Sequence, residues 1–164
     1  DEIKERNRQI EDGVFAAVDD PRRPTVPPRI EEVPPHLNFA PLENAVEVLT
    51  HSADRYQEAA KSQSASKKPM KNAALRSLNQ RLIQSERKLT HPNGLPGRPW
   101  FKHLIYAPGF YTGYGVKTIP GVREAIEQKK WKEAEGEIVR AAKALEDYSA
   151  LVDSATTEFE REGK

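Results

Sequence analysis

Seven of the chain's 13 prolines fall between Pro21 and Pro41, and this cluster limits the fold more than any other feature. Proline lacks a backbone N–H and clashes with the preceding helical turn, so neither a helix nor a central strand can run through the stretch. It predicts an extended strap over residues 18–40. Val26, Ile30, Val33, Leu37 and Phe39 are apolar positions that can pin such a strap to a surface, which predicts order rather than a free linker. Before the strap, Ile3, Ile10 and Val14 form a short apolar pattern over residues 1–17, read as a truncated first helix.

After the strap, three longer helical patterns follow. Leu42, Val46, Leu49, Ala53, Tyr56 and Ala60 recur at steps of three and four behind Pro41, a good first-turn residue, and predict a helix over 41–61. Leu75, Leu78, Leu82, Ser85 and Leu89 predict a third helix. Ala134, Ile138, Ala141, Leu145, Tyr148, Val152, Ala155 and Phe159 predict a fourth after Trp131. One apolar stripe per helix is buried most economically in an antiparallel bundle. The expected fold is therefore all-α, an up-down four-helix bundle with a long Pro-rich connector after helix 1, built as a single domain over residues 1–164. Leu49, Leu78, Leu82, Ile138, Leu145 and Val152 are its expected core. A chain of 164 residues buries about 70% of its unfolded surface and needs no staples. No apolar run approaches the roughly 20 residues of a membrane span.

Between helices 3 and 4, residues 91–121 form a long loop holding six of the 9 glycines and six of the 12 aromatic residues. Loops of this length in compact domains carry binding or interdomain packing. No carboxylate occurs from Arg87 through Arg123, so a local two-metal site or carboxylate dyad is excluded. Zero cysteine removes thiol catalysis and thiolate metal sites. His91 and His103 could bind zinc only with distant ligands and read as packing histidines. Gly113-Tyr114-Gly115-Val116-Lys117-Thr118 departs from the phosphate-loop pattern, which needs glycine directly before the lysine. Taken alone, the chain reads as a binding or assembly module without catalytic residues.

The formal net charge of +1 hides an asymmetry: residues 1–58 carry −6, residues 59–123 carry +11 and residues 124–164 carry −4. A basic middle can serve nucleic acid or acidic lipid, which defines the alternative function, a basic helical module acting through residues 59–123. It can also be balanced by acidic helices of the same bundle, the reading preferred here.

Leu82-Ile83-Gln84-Ser85-Glu86-Arg87, then Gly94-Leu95-Pro96-Gly97-Arg98-Pro99-Trp100-Phe101-Lys102-His103-Leu104-Ile105-Tyr106-Ala107-Pro108, then Ile119-Pro120-Gly121 together resemble the C-terminal dimerisation domain of the transferrin receptor and glutamate carboxypeptidase family. The resemblance covers roughly residues 40–157 and is strongest to fungal vacuolar members of the glutamate carboxypeptidase branch. The strap looks like an insertion between the first two helices. The resemblance implies a parent that is a membrane-anchored zinc peptidase of the M28 type, in which this segment is the dimerisation domain. It implies a homodimer, with the parent's peptidase and apical domains as further partners and neither nucleic acid binding nor membrane insertion by this segment. The implied location is the lumenal or extracellular side, in the vacuolar or endosomal pathway.

Zinc and its ligands would belong to the parent's peptidase domain, so no metal ligand or cofactor is expected in this chain. In the glutamate carboxypeptidases of that family, the loop between Ala-Pro and Pro-Gly closes over the substrate pocket, where an adjacent Lys-Tyr pair holds the terminal carboxylate of glutamate. The matching residues here are Gly113-Tyr114, flanked by Thr112 and Lys117. Tyr114 can donate a hydroxyl hydrogen bond, glycine offers no ammonium, and Lys117 is the candidate substitute. Trp100, Phe101, Tyr106, Phe110 and Tyr111 are the expected interdomain or dimer packing residues.

Overall fold

The computed structural model describes residues 2–17, 22, 26, 28–66 and 68–162. The strap expected at 18–21, 23–25 and 27 lies outside the described residues. The chain forms two compact units, Asp1–His36 and Leu37–Lys164.

In the first unit, α1 (Glu2–Glu11) and α2 (Val14–Ala17) are separated by Gly13 in the left-handed region. Asn7 ties the following segment to α1. Its Nδ2 donates to the Glu31 carbonyl at 2.6 Å and its Oδ1 accepts from the Glu31 N–H at 2.9 Å. Of the five apolar positions expected to pin the strap, Val26, Ile30, Val33 and Phe39 are exposed, whereas Leu37 packs against the core of the second unit.

In the second unit, α7 (Trp131–Glu162) is the axis, against which α3 (Ala40–Ala65), α4 (Asn72–Leu82), α5 (Ser85–Lys88) and α6 (Pro120–Glu127) pack. At 32 residues it is about 48 Å long. Leu42 and Ala45 of α3, Val122 of α6, and Ile138, Ala141, Ala142 and Leu145 of α7 form the main core, with Leu37, Leu49 and Leu89 against it. Of the six expected core residues, Leu78, Ile138 and Leu145 are buried, and Leu49, Leu82 and Val152 are half-buried.

The buried face of α3 is rotated from the expected stripe. Ala45 and Ser52 are buried, whereas Val46 and Ala53 are exposed. Ala45 shares the main core with Ala141 and Ala142 of α7, and a stripe ranked by hydrophobicity passes over small residues at such a seam. The third helix is also interrupted. After Leu82 the chain tightens, with the Gln84 N–H donating to the Arg81 carbonyl at 2.9 Å, before α5 begins.

The all-α expectation needs a correction, because β1 (Tyr106–Pro108) and β2 (Val116–Thr118) form an antiparallel pair with Ala107 opposite Lys117. The loop 91–121 therefore contains a β-hairpin, and its last residues already belong to α6. Ile119, with φ 47°, makes the turn from β2 into α6. A β-branched residue in this region is strained by about 1–3 kcal/mol. Its N–H donates to the Ile105 carbonyl at 2.7 Å, and its own carbonyl accepts from Val122 and Arg123, so the surroundings fix it. At its other end α6 closes in a Schellman motif: Lys130 N–H to Ala125 O at 2.8 Å and Lys129 N–H to Ile126 O at 2.9 Å.

Gly136 lies on the exposed side of α7, and nothing comes within 4 Å of a Cβ placed there. Glycine in an open helix interior costs about 0.5–1 kcal/mol relative to alanine. Gly136→Ala should raise stability by that amount and the melting temperature by about 2–4 °C per kcal/mol in a chain of this size, measured by thermal denaturation.

Candidate functional site

The hairpin is stitched to the helices by the segments that carried the family resemblance. Arg98 and Glu124 form an ion pair, Nη2 lying 2.7 Å from Oε1 and 2.6 Å from Oε2, with both side chains buried. Arg98 Nη1 also donates to the Pro108 carbonyl, and Glu124 Oε1 accepts the Phe110 N–H at 2.7 Å. One buried pair thus grips both the end of β1 and the first turn beyond it. The guanidinium lies 5.3 Å from the Phe101 ring centroid and 5.6 Å from that of Phe110, a cation–π arrangement.

Glycines make room for two further stitches. Gly94 has φ +63°, and a Cβ there would lie 2.3 Å from the Pro99 carbonyl oxygen. Its own carbonyl accepts Arg140 Nη2 from α7 at 2.7 Å. A Cβ on Gly121 would meet a Glu137 carboxylate oxygen at 2.3 Å. Glu137 pairs with Arg140, and burial pushes its carboxyl pKa up against the lowering influence of that arginine. Under the hairpin, Leu95, Leu104 and Ala107 pack on Ala144 of α7, with Phe101 against them.

The tip is the opposite of this root. Thr112 to Gly115 form a turn in which the Gly115 N–H approaches the Thr112 carbonyl at 3.3 Å and Thr112 Oγ1 donates to the Gly115 carbonyl at 3.2 Å. Gly113 has φ +60° at the first central position, as a type II′ turn requires. Tyr114, beside it, is 104% exposed, Tyr111 73% and Trp100 69%. Phe110 packs edge-on to Tyr111 at 4.8 Å. Of the expected packing residues, Phe101 is half-buried in the second core, while Trp100, Tyr106, Phe110 and Tyr111 are exposed. The Lys117 stem runs beside Gly109, a Cβ on which would lie 3.2 Å from Lys117 Cε and 2.1 Å from Thr112 Oγ1, and its ammonium pairs with Glu127 of α6. The structure therefore brings Thr112, Gly113 and Tyr114 together at one turn, with the Lys117 stem beside Thr112 and its ammonium held by Glu127.

His103 sits at the hairpin's base, its ring 3.9 Å from that of Tyr106. Its Nδ1 accepts the N–H groups of Ile105 at 3.2 Å and Tyr106 at 3.1 Å, and its Nε2 lies 3.2 Å from Glu86 Oε1. Tyr106 donates its hydroxyl to the same carboxylate at 2.5 Å, which raises the phenol pKa. His91 Nδ1 likewise accepts the Asn93 N–H at 3.2 Å. Both imidazoles are thus engaged in fixing backbone. Among the described residues, no three His, Asp or Glu side chains gather to hold a metal, so the donors here do not fit a zinc ion.

Burial lowers the His103 pKa, with Glu86 opposing, and burial first and then Arg140 and Lys102 lower that of His91. A histidine with a depressed folded pKa is kept neutral by the fold, while the unfolded chain takes up the proton near pH 6.5. Stability is then present above about pH 6.5 and is lost as the pH falls toward the folded values. The melting temperature should fall between pH 7.5 and 5.5. His103→Asn, which retains an acceptor at the Nδ1 position, should lose less over that interval than the parent sequence.

Sequence reasoning missed Arg98, Glu124, Glu86, Glu127 and the Glu137–Arg140 pair. The available signal was the acid-free loop itself: Arg98 and Lys117 had to find carboxylates outside it, at Glu124 and Glu127.

The transferrin receptor-like dimerisation domain profile matches residues 37–153. The chain is 39% identical to the probable glutamate carboxypeptidase LAMP1 of Arabidopsis thaliana over 115 residues, 65% of this chain and 17% of that protein. It is 34% identical to the probable glutamate carboxypeptidase AMP1 of the same plant over 123 residues, 66% of this chain and 17% of that protein. An inactive zinc metalloprotease of Schizosaccharomyces pombe is 33% identical over 76 residues, 46% of this chain and 9% of that protein. The chain thus spans about a sixth of the length of the two plant relatives. With the profile covering most of the second compact unit, including the hairpin and the helices that hold it, this chain belongs to the transferrin receptor-like dimerisation domain family.

Proposed function

We propose that the chain is the homodimerisation and assembly module of a longer, membrane-anchored zinc carboxypeptidase-like protein and has no catalytic activity by itself. The observation that carries this reading is the exposed aromatic tip on a rigid root: Phe110, Tyr111 and Tyr114 face solvent, as does Trp100 outside the tip, while Arg98 and Glu124 fix the strands behind them. Apolar surface presented on an immobilised hairpin favours docking, because little conformational freedom remains to be lost on association. Trp100, Phe101, Tyr106, Phe110 and Tyr111 would contact the peptidase and apical domains or the second copy. Loop 107–121, through Thr112, Gly113 and Tyr114 with Lys117 behind them, would line the longer protein's substrate pocket. Zinc would be held by the peptidase domain. The single-domain organisation over 1–164 and the lumenal, vacuolar or endosomal location belong to the same proposal.

The alternative of nucleic acid or acidic lipid binding through residues 59–123 is less favoured, because cations of that segment find carboxylates within the chain. Arg81 pairs with Glu158 at 2.7 Å, Arg98 with Glu124, and Lys117 with Glu127. Co-purification of two differently tagged full-length copies tests the assembly role. Deleting residues 37–153 should abolish it, and undiminished co-purification would overturn the reading.

A further inference from the structure

The hairpin tip, Gly109 to Val116, contains no Lys, Arg, His, Asp or Glu. The cations close to it in sequence are occupied. Lys117 is paired with Glu127, its side chain only 12% exposed. Arg98 is buried, its two terminal nitrogens spent on Glu124 and the Pro108 carbonyl. Lys102 donates to the Pro92 carbonyl at 2.6 Å. Arg123 is exposed on α6, outside the tip. What the tip presents is Phe110, Tyr111, Tyr114 and Val116, all exposed, with two phenol hydroxyls as its neutral side-chain donors at the rings.

Turn geometry keeps it so. Gly113 occupies a left-handed position that a lysine would adopt only with strain. A carboxylate buried against this surface would lose its water and meet only Lys117, whose charge Glu127 already balances, an unfavourable exchange. An apolar or aromatic side chain would gain by burial and by ring contacts with Phe110, Tyr111 and Tyr114.

We propose that the substrate side chain met by this hairpin is neutral, apolar or aromatic, and not the carboxylate of glutamate. The proposal rests on the reading that loop 107–121 lines the pocket of the longer protein. The test is equilibrium binding of two peptides, N-acetyl-Ala-Phe and N-acetyl-Ala-Glu, to the full-length protein. Both keep the terminal carboxylate, so they differ only in the last side chain.

The phenylalanine peptide should bind at least tenfold tighter. Val116→Lys, which adds a cation at an exposed strand position without altering the turn, should shift the ratio toward glutamate by tenfold or more. Equal or tighter binding of the glutamate peptide by the unaltered protein would overturn the proposal, and loss of that preference in Arg123→Gln would identify Arg123 as the missing counter-charge. Tyr114→Ala separates the two levels. Weakened binding with glutamate still preferred refutes the side-chain class alone. Unchanged affinities for both peptides, or no binding of either, refute the pocket reading beneath it.

Discussion

Arg98→Ala should destabilise the folded domain by about 3–5 kcal/mol, the range for removing one partner of a buried ion pair. The reason is the charge left behind. Glu124 would keep only the Phe110 N–H at 2.7 Å, and the Pro108 carbonyl would lose its donor. The loss should appear as a lower urea midpoint with an unchanged slope. Arg98→Met combined with Glu124→Gln should recover much of it, because the glutamine still accepts from Phe110 and no buried charge remains. If the double variant is as unstable as the sum of the single ones, the pair does not act as a unit. The same substitution should loosen the hairpin, since Arg98 and Glu124 are the groups that grip both ends of its first turn.

Ile138→Ala is the second large effect, expected at about 2–5 kcal/mol from lost burial and the cavity left behind. Ile138 is 0% exposed and sits in the main core between Leu42 and Ala45 of α3 and Val122 of α6. Its neighbours on α7 are mostly alanines, which are too short to collapse into the space, so the upper part of the range is favoured. Chemical denaturation measures it. A change below about 1 kcal/mol would show that the α3–α6–α7 junction repacks freely, contrary to the close-packed core described here.

How far the fold was legible depended on whether a signal was periodic or positional. The long stripe of α7 was readable because Ala134, Ile138, Ala141 and Leu145 repeat over several turns, and all four are buried. On α3 the same reasoning chose Val46 over Ala45, because a ranking by hydrophobicity passes over the small residues that share the core with α7. The hairpin was invisible: its strands are three residues each, one ends in Pro108, and neither is long enough to alternate. Likewise α6, only eight residues and opened by Pro120-Gly121, begins inside the expected loop and is too short to carry a readable stripe. At the site, the aromatic residues were identified but not their support. Arg98 was quoted within the resemblance without a partner, since Glu124 lies 26 residues away, and only the folded path of the hairpin brings them together.

Association of this domain with a second copy is the central claim, and sedimentation equilibrium over a hundredfold concentration range around 10 μM tests it most directly, since that range brackets weak interfaces. The account predicts a reversible shift from the 18.5 kDa chain toward a species of twice that mass. Tyr111→Ser combined with Trp100→Ser, both at exposed positions, should weaken the shift if the hairpin contributes to the contact, while leaving the melting temperature unchanged. A single 18.5 kDa species at every concentration would contradict the claim that this domain is sufficient for dimerisation.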